Sequence, residues 1–174
     1  MTGMVRLTSP ADELVLLDLL NTTPVVEGTS VDLLGSDDEA FAWARSRTGI
    51  GSGEEAWHLR LVRDQLQAVV RGAESAVALQ RLLDDVRLVP VITDSGVTWS
   101  LDIEEHEALG TCALLAWGHV QEQMPGRLRA CANVECRLFL LDRSRPNTAR
   151  WCSMRTCGNR LKARRHYRRA QRAG

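Results

Sequence analysis

The chain has 174 residues, 44% apolar and 25% charged, with 22 basic and 22 acidic side chains and a formal net charge of zero. That composition excludes a disordered chain and suits one packed domain with a small appendage. No stretch approaches the roughly 20 apolar residues of a membrane span, and the opening MTGMVRLTSPADE lacks the cationic head and apolar run of an export signal, so no membrane association and a cytoplasmic location are expected.

In chain order, Ser9-Pro10-Ala11-Asp12 supplies a helix N-cap, a proline at the first helical position and an acid at the third, after which Leu14, Leu17 and Leu20 mark one face. Near the end of this helix, Asp18 and Asn21 have two readings: lining of a pocket for an unknown small-molecule effector, or a helix cap and turn. Ser36-Asp37-Asp38-Glu39 is a capping box that opens a helix carrying Phe41 and Trp43 and stopping near Gly49. Leu59, Val62, Leu66, Val69 and Val70 show helical spacing, as do Val77, Leu79, Leu82, Leu83 and Val86 beyond Gly72.

Val89-Pro90-Val91-Ile92 and Val97-Thr98-Trp99-Ser100-Leu101 flank the turn Thr93-Asp94-Ser95-Gly96 and read as a hairpin, with Pro90 at an edge. A long helix from about Glu104 to Gln123 follows. Its apolar stripe includes Cys112 and His119, both expected in the core rather than in chemistry. Met124-Pro125-Gly126 breaks it and marks a boundary between an acidic, mainly helical sensor or dimerisation domain, 1–126, and a basic segment, 127–174. No phosphate-cradling glycine loop, H-E-x-x-H or nucleophile elbow is present, so no enzymatic activity is expected.

The overall neutrality conceals two opposite halves. From Arg127 onward fourteen basic side chains face two acidic ones, a net +12, whereas residues 1–126 carry eight basic and twenty acidic, a net −12. Such asymmetry points to an acidic partner for the basic end. The same segment holds Cys131, Cys136, Cys152 and Cys157, spaced C-x4-C-x15-C-x4-C. Two close pairs separated in this way form the layout of a four-thiolate zinc site; two disulfides are the alternative, disfavoured in a reducing cytosol. Four thiolates close the tetrahedron, so one structural zinc is expected, with no open position for catalysis.

Between the pairs, Arg137 to Leu141 reads as a strand, Arg143 to Asn147 as a turn and Thr148 to Trp151 as the returning strand. Beyond Cys157, the run Arg160 to Arg169 has no Pro or Gly and reads as a helix on which Arg160, Arg164 and Arg168 recur every four residues, with Arg165, Arg169 and Arg172 on a neighbouring stripe. Unrelieved like charges repel, and thirteen arginines to one lysine favour bidentate contact with phosphates or guanine edges.

These residues resemble a known family. Cys131-Ala132-Asn133-Val134-Glu135-Cys136, the turn Asp142-Arg143-Ser144-Arg145, and Trp151-Cys152-Ser153-Met154 leading to Cys157-Gly158-Asn159-Arg160 resemble the CGNR zinc finger. More weakly, Leu17-Asp18-Leu19-Leu20-Asn21-Thr22, Asp32-Leu33-Leu34 and Phe41-Ala42-Trp43 resemble the ABATE-type N-terminal domain found with it. The resemblance implies a DNA-binding finger in a stress-induced transcription regulator.

The expected fold is α+β and mostly helical: a helical N-terminal domain with a β-hairpin, then a small zinc finger built of knuckle, hairpin and basic helix. The expected function is zinc-dependent binding of double-stranded DNA. Asn159 and Arg160 are candidate base readers; Arg143, Arg145, Arg164, Arg165, Arg168 and Arg169 are placed mainly on phosphates, and Arg150, Arg155 and Lys162 are further candidate DNA contacts. RNA is an alternative partner, a homodimer is an expected assembly, and a ligand-binding or enzymatic N-terminal domain with the finger as an interaction module is the remaining alternative.

Overall fold

The computed structural model describes residues 9–159. Helix α1, Pro10–Leu20, begins at the N-cap Ser9, whose hydroxyl accepts from the Asp12 amide while the Asp12 carboxylate accepts from the Ser9 amide. Its inward face is Leu16, Leu19 and Leu20. The face expected from Leu14, Leu17 and Leu20 is therefore rotated, leaving Leu14 61% exposed.

A tight two-residue ladder, β1 (Val25–Val26) and β2 (Thr29–Ser30), leads to α2, Asp37–Arg45, opened by the expected capping box of Ser36 and Glu39. Helix α3 spans Gly53–Val70 and buries Leu59, Val62 and Leu66. It also pins the irregular chain between α1 and α2: Arg60 donates to the Leu34 carbonyl, Arg63 pairs with Asp32 and Asp64, and Gln67 donates to Leu20 O and Thr23 Oγ1. Buried polar side chains of this kind are stable only when so satisfied.

The next segment is a 3₁₀ helix, Ala76–Leu82, rather than the α-helix its spacing suggested; Leu79 is its buried anchor and Val77 points to solvent. Strands β3 (Arg87–Thr93) and β4 (Gly96–Asp102) form the expected antiparallel hairpin. A single 3₁₀ turn, Glu105–Glu107, precedes α4, Ala108–Gln123, which packs on α1 and α3. Gly110 of α4 lies directly against α3, where an added Cβ would lie 2.6 Å from His58 Nδ1.

Strand β5, Leu128–Ala130, follows Gly126 and pairs antiparallel with β6, Phe139–Leu141. The sequence instead leads to the expectation that 137–141 pairs with 148–151. That pairing does not form, because Asp142 closes the intervening loop on itself, accepting from Ser144 N at 2.9 Å and Ala149 N at 2.8 Å. The core runs through α1, α2, α3 and α4 into this ribbon, so Leu128 and Phe139 are buried in the same cluster as Leu19, Leu66 and Val120. No helix among the described residues is long and apolar enough to cross a membrane.

Candidate metal centre and nucleic-acid surface

The four cysteines arrive from two loops. Cys131 follows β5 directly, and its amide donates to Leu138 O, while the Cys136 amide closes a turn on Asn133 O at 2.8 Å. Cys152 follows Trp151, and Cys157 sits in a π-helical turn, Met154–Gly158, capped by the Ser153 hydroxyl accepting from the Thr156 amide. The loops are laced together by Ala132 N donating to Arg150 O at 2.8 Å and Cys152 N donating to Cys131 Sγ at 3.5 Å.

These connections bring all four sulfurs within 4.8 Å of one another. Cys136 and Cys152 Sγ are 3.7 Å apart, and Cys152 and Cys157 Sγ 3.8 Å apart. A regular tetrahedron with metal–sulfur bonds of about 2.3 Å has edges of about 3.8 Å, whereas a disulfide needs about 2.05 Å. The cysteines are unbridged, and the sulfur spacing is that of a ligand set for one structural zinc with no position left for water.

Asn133 is a member of this site that residue-by-residue reading overlooked. It is 1% exposed, donates from Nδ2 to Cys157 Sγ at 3.5 Å and accepts the Glu135 amide on Oδ1 at 3.3 Å. Its one sequence signal is its place inside the first C-x4-C. For the thiols themselves, burial raises Cys136 to about 11 and also raises Cys152; at Cys157 burial is outweighed by hydrogen bonds from Asn133 and the neighbouring thiols, which lower it. Zinc must therefore displace protons as it binds, and its affinity falls with acidification.

Residues 127–170 match the CGNR zinc finger family, and residues 13–123 match the ABATE family, described as "Putative stress-induced transcription regulator". The chain belongs to the ABATE family. No curated protein matches it significantly. The ABATE match ends three residues before Gly126 and the finger match begins just after it, while the four ABATE helices and the finger's β5–β6 ribbon share one core.

The described arginines in the finger of this ABATE–CGNR protein divide into two sets. One is structural: Arg127 donates to the carbonyls of Asp142 and Ser144, Arg129 pairs with Asp142 at 2.9 Å and bonds Asn147, and Arg137 donates to Ser30 Oγ at 2.9 Å. Arg143, assigned from sequence to phosphate, forms a 2.6 Å ion pair with Glu13 of α1. The second set, Arg145, Arg150 and Arg155, is exposed and forms no ion pair with any described residue. Arg150 lies over the Trp151 ring, 5.6 Å from its centroid. Asn159 is exposed and donates to Arg155 O. Arg160, Lys162, Arg164, Arg165, Arg168 and Arg169 lie outside the described residues.

Asp18 and Asn21 are brought to different tasks. Asp18 holds Arg47 at 2.9 Å on the surface, where Arg47 also stacks on Trp43. Asn21 turns toward the finger: Phe139 N donates to its Oδ1 at 2.7 Å, and its Nδ2 donates to Phe139 O at 3.3 Å. Neither lines the cavity of about 480 Å³ that opens between α1, the α2–α3 loop and α4, whose wall includes Val15, Ile50, Leu109 and the half-buried Cys112.

Proposed function

We propose that this ABATE–CGNR protein is a cytoplasmic transcription regulator whose finger binds double-stranded DNA, and that it is not an enzyme. The observation that supports the reading best is the set Arg145, Arg150 and Arg155: three guanidinium groups in solvent, on a module fixed by four thiols, with no acidic partner among the described residues. Solvent-facing guanidinium groups without an acidic partner suit a phosphate backbone, which would neutralise them. The zinc supplies rigidity to a segment too small to fix its own geometry by burial alone.

In this reading Arg145, Arg150 and Arg155 sit on phosphates together with Lys162, Arg164, Arg165, Arg168 and Arg169. Asn159 and Arg160, beside the last ligand, reach base edges, where bidentate contacts discriminate. The N-terminal helices act as the regulatory part and sense the inducing signal.

Selection from a random duplex pool, run with zinc and again with chelator, tests partner and specificity together. Enrichment of a motif only in the zinc-loaded arm is expected. With about six phosphates engaged, log K should fall against log[salt] with a slope of about −5. A slope near zero, or preference for structured RNA over every duplex, removes the DNA reading.

A further inference from the structure

The β3–β4 hairpin makes few contacts with the other described elements; only its base borders the start of α4, where Trp99, Ser100 and Leu101 line a cavity with Glu105, Ala108 and Cys112. Its strands pair from Arg87–Asp102 to Thr93–Gly96, and neither forms a substantial contact with another described element. Cross-strand partners share a face, so the register puts Leu88 with Leu101, Pro90 with Trp99 and Ile92 with Val97 on one side. Every side chain on that side is apolar. Ile92 is 80% exposed, Val97 61% and Trp99 46%. The opposite side is mixed, with Arg87 facing Asp102, Val89 facing Ser100 and Val91 facing Thr98.

A two-stranded hairpin without support is marginal in water, and a contiguous exposed apolar face is an association site. We propose that this face is the contact between two copies of the chain, packed face to face about a twofold axis. An isologous contact requires a surface complementary to itself. A face of six apolar side chains meets that requirement, since its copy buries no charge against it.

The basic end of the chain is chemically unsuited to cover it, since residues 160–174 carry seven basic side chains. Twelve side chains withdrawn from water at roughly 60–80 Å² each remove on the order of 800 Å². That is below the roughly 1,200–2,000 Å² of a stable specific interface and in the range of transient ones, so the dimer is weak and reversible, forming in the micromolar range or above.

The test uses the full, zinc-loaded chain without DNA, so its outcome is independent of the nucleic-acid reading. Analytical ultracentrifugation from micromolar to submillimolar concentration should show a monomer–dimer equilibrium, and hydrogen exchange across 87–102 should slow as concentration rises. Ile92→Glu should weaken the dimer at least tenfold, whereas Val91→Glu, on the opposite face, should leave it unchanged; circular dichroism and zinc content report whether both variants remain folded. A monomer at every concentration overturns the proposal. So do a dimer that survives Ile92→Glu, equal loss from both variants, and exchange at 87–102 that is already slow in dilute monomer.

Discussion

The side-chain amide of Asn21, at the end of α1, grips both backbone polar groups of Phe139, a residue 118 positions away in the finger. The amide substitutes for a strand neighbour on β6, satisfying an edge N–H and C=O that the ribbon leaves unpaired. Asn21→Ala leaves both groups half-buried and unmatched, at a cost of about 1–3 kcal/mol, or a fall in Tm of roughly 2–10 °C for a chain of this size. Zinc stoichiometry should be unchanged, because no thiol is touched; differential scanning calorimetry with a zinc assay separates the two effects.

Chelation of zinc should be felt beyond the finger. Phe139 is 1% exposed within the helical core, and Arg71 lies over its ring at 4.3 Å. Loss of metal frees the segment that carries Phe139, so the helical thermal transition should move down together with loss of the finger. Phe139→Ala, expected to cost about 3–5 kcal/mol, should reproduce the downward shift with metal present. A helical transition unaffected by chelator would show that β6 stays docked without zinc.

His58 makes stability depend on mild acid. It is 5% exposed, Nδ1 has no hydrogen-bond partner among the described residues, and burial lowers its pKa from the ordinary 6.5, with Glu107 pulling upward and His106 downward. The unfolded chain therefore takes up a proton first as pH falls. Stability is fully present above about 6.5 and declines below it, by at most about 1.4 kcal/mol per pH unit, until the folded histidine itself protonates. Urea melts at a series of pH values should show this decline, and His58→Gln should flatten it.

Asp142 sets a second, more acidic limit. Hydrogen bonds from Ser144 and Ala149, with Arg129 alongside, hold its carboxyl at about 2 against an ordinary 3.8. A depressed carboxylate stabilises above its unfolded value and loses that contribution as pH falls from about 3.8 toward 2. Asp142→Asn should loosen the 142–149 loop even at neutral pH, seen as faster amide exchange at Ser144 and Ala149.

On the DNA-binding function proposed above, Glu13→Gln should release Arg143 and raise affinity for a duplex. The pair is partly exposed, with Arg143 at 59%, so the gain should be modest, up to about fivefold at low salt. Fluorescence anisotropy with a labelled duplex measures it, and lower affinity in this variant would mean that the ion pair orients the finger for DNA.

What was legible in the sequence was local. Both capping boxes and the spacing of Cys131, Cys136, Cys152 and Cys157 depend on residues a few positions apart, and the structure uses them as read. What the sequence does not show lies where distant partners decide. Strand 139–141 chose residues 128–130 because Asp142 folds the chain beyond it into a closed loop, a result that strand propensity does not encode. Arg143 belongs with Glu13, 130 residues away, and Asn21 with Phe139. An arginine count cannot separate guanidinium groups that donate to carbonyls, like that of Arg127, from ones that form no ion pair with a described residue, like that of Arg145.

Only Arg137 and Leu138 stand between Cys136, a sulfur donor, and Phe139, a core side chain. Three extended steps span about 10 Å, so this stretch is a fixed ruler between the metal and the oily interior. Adding a single residue there would turn Phe139 outward and put its neighbour in its place. The two anchors tolerate many changes of side chain around them, but no change in the count between them.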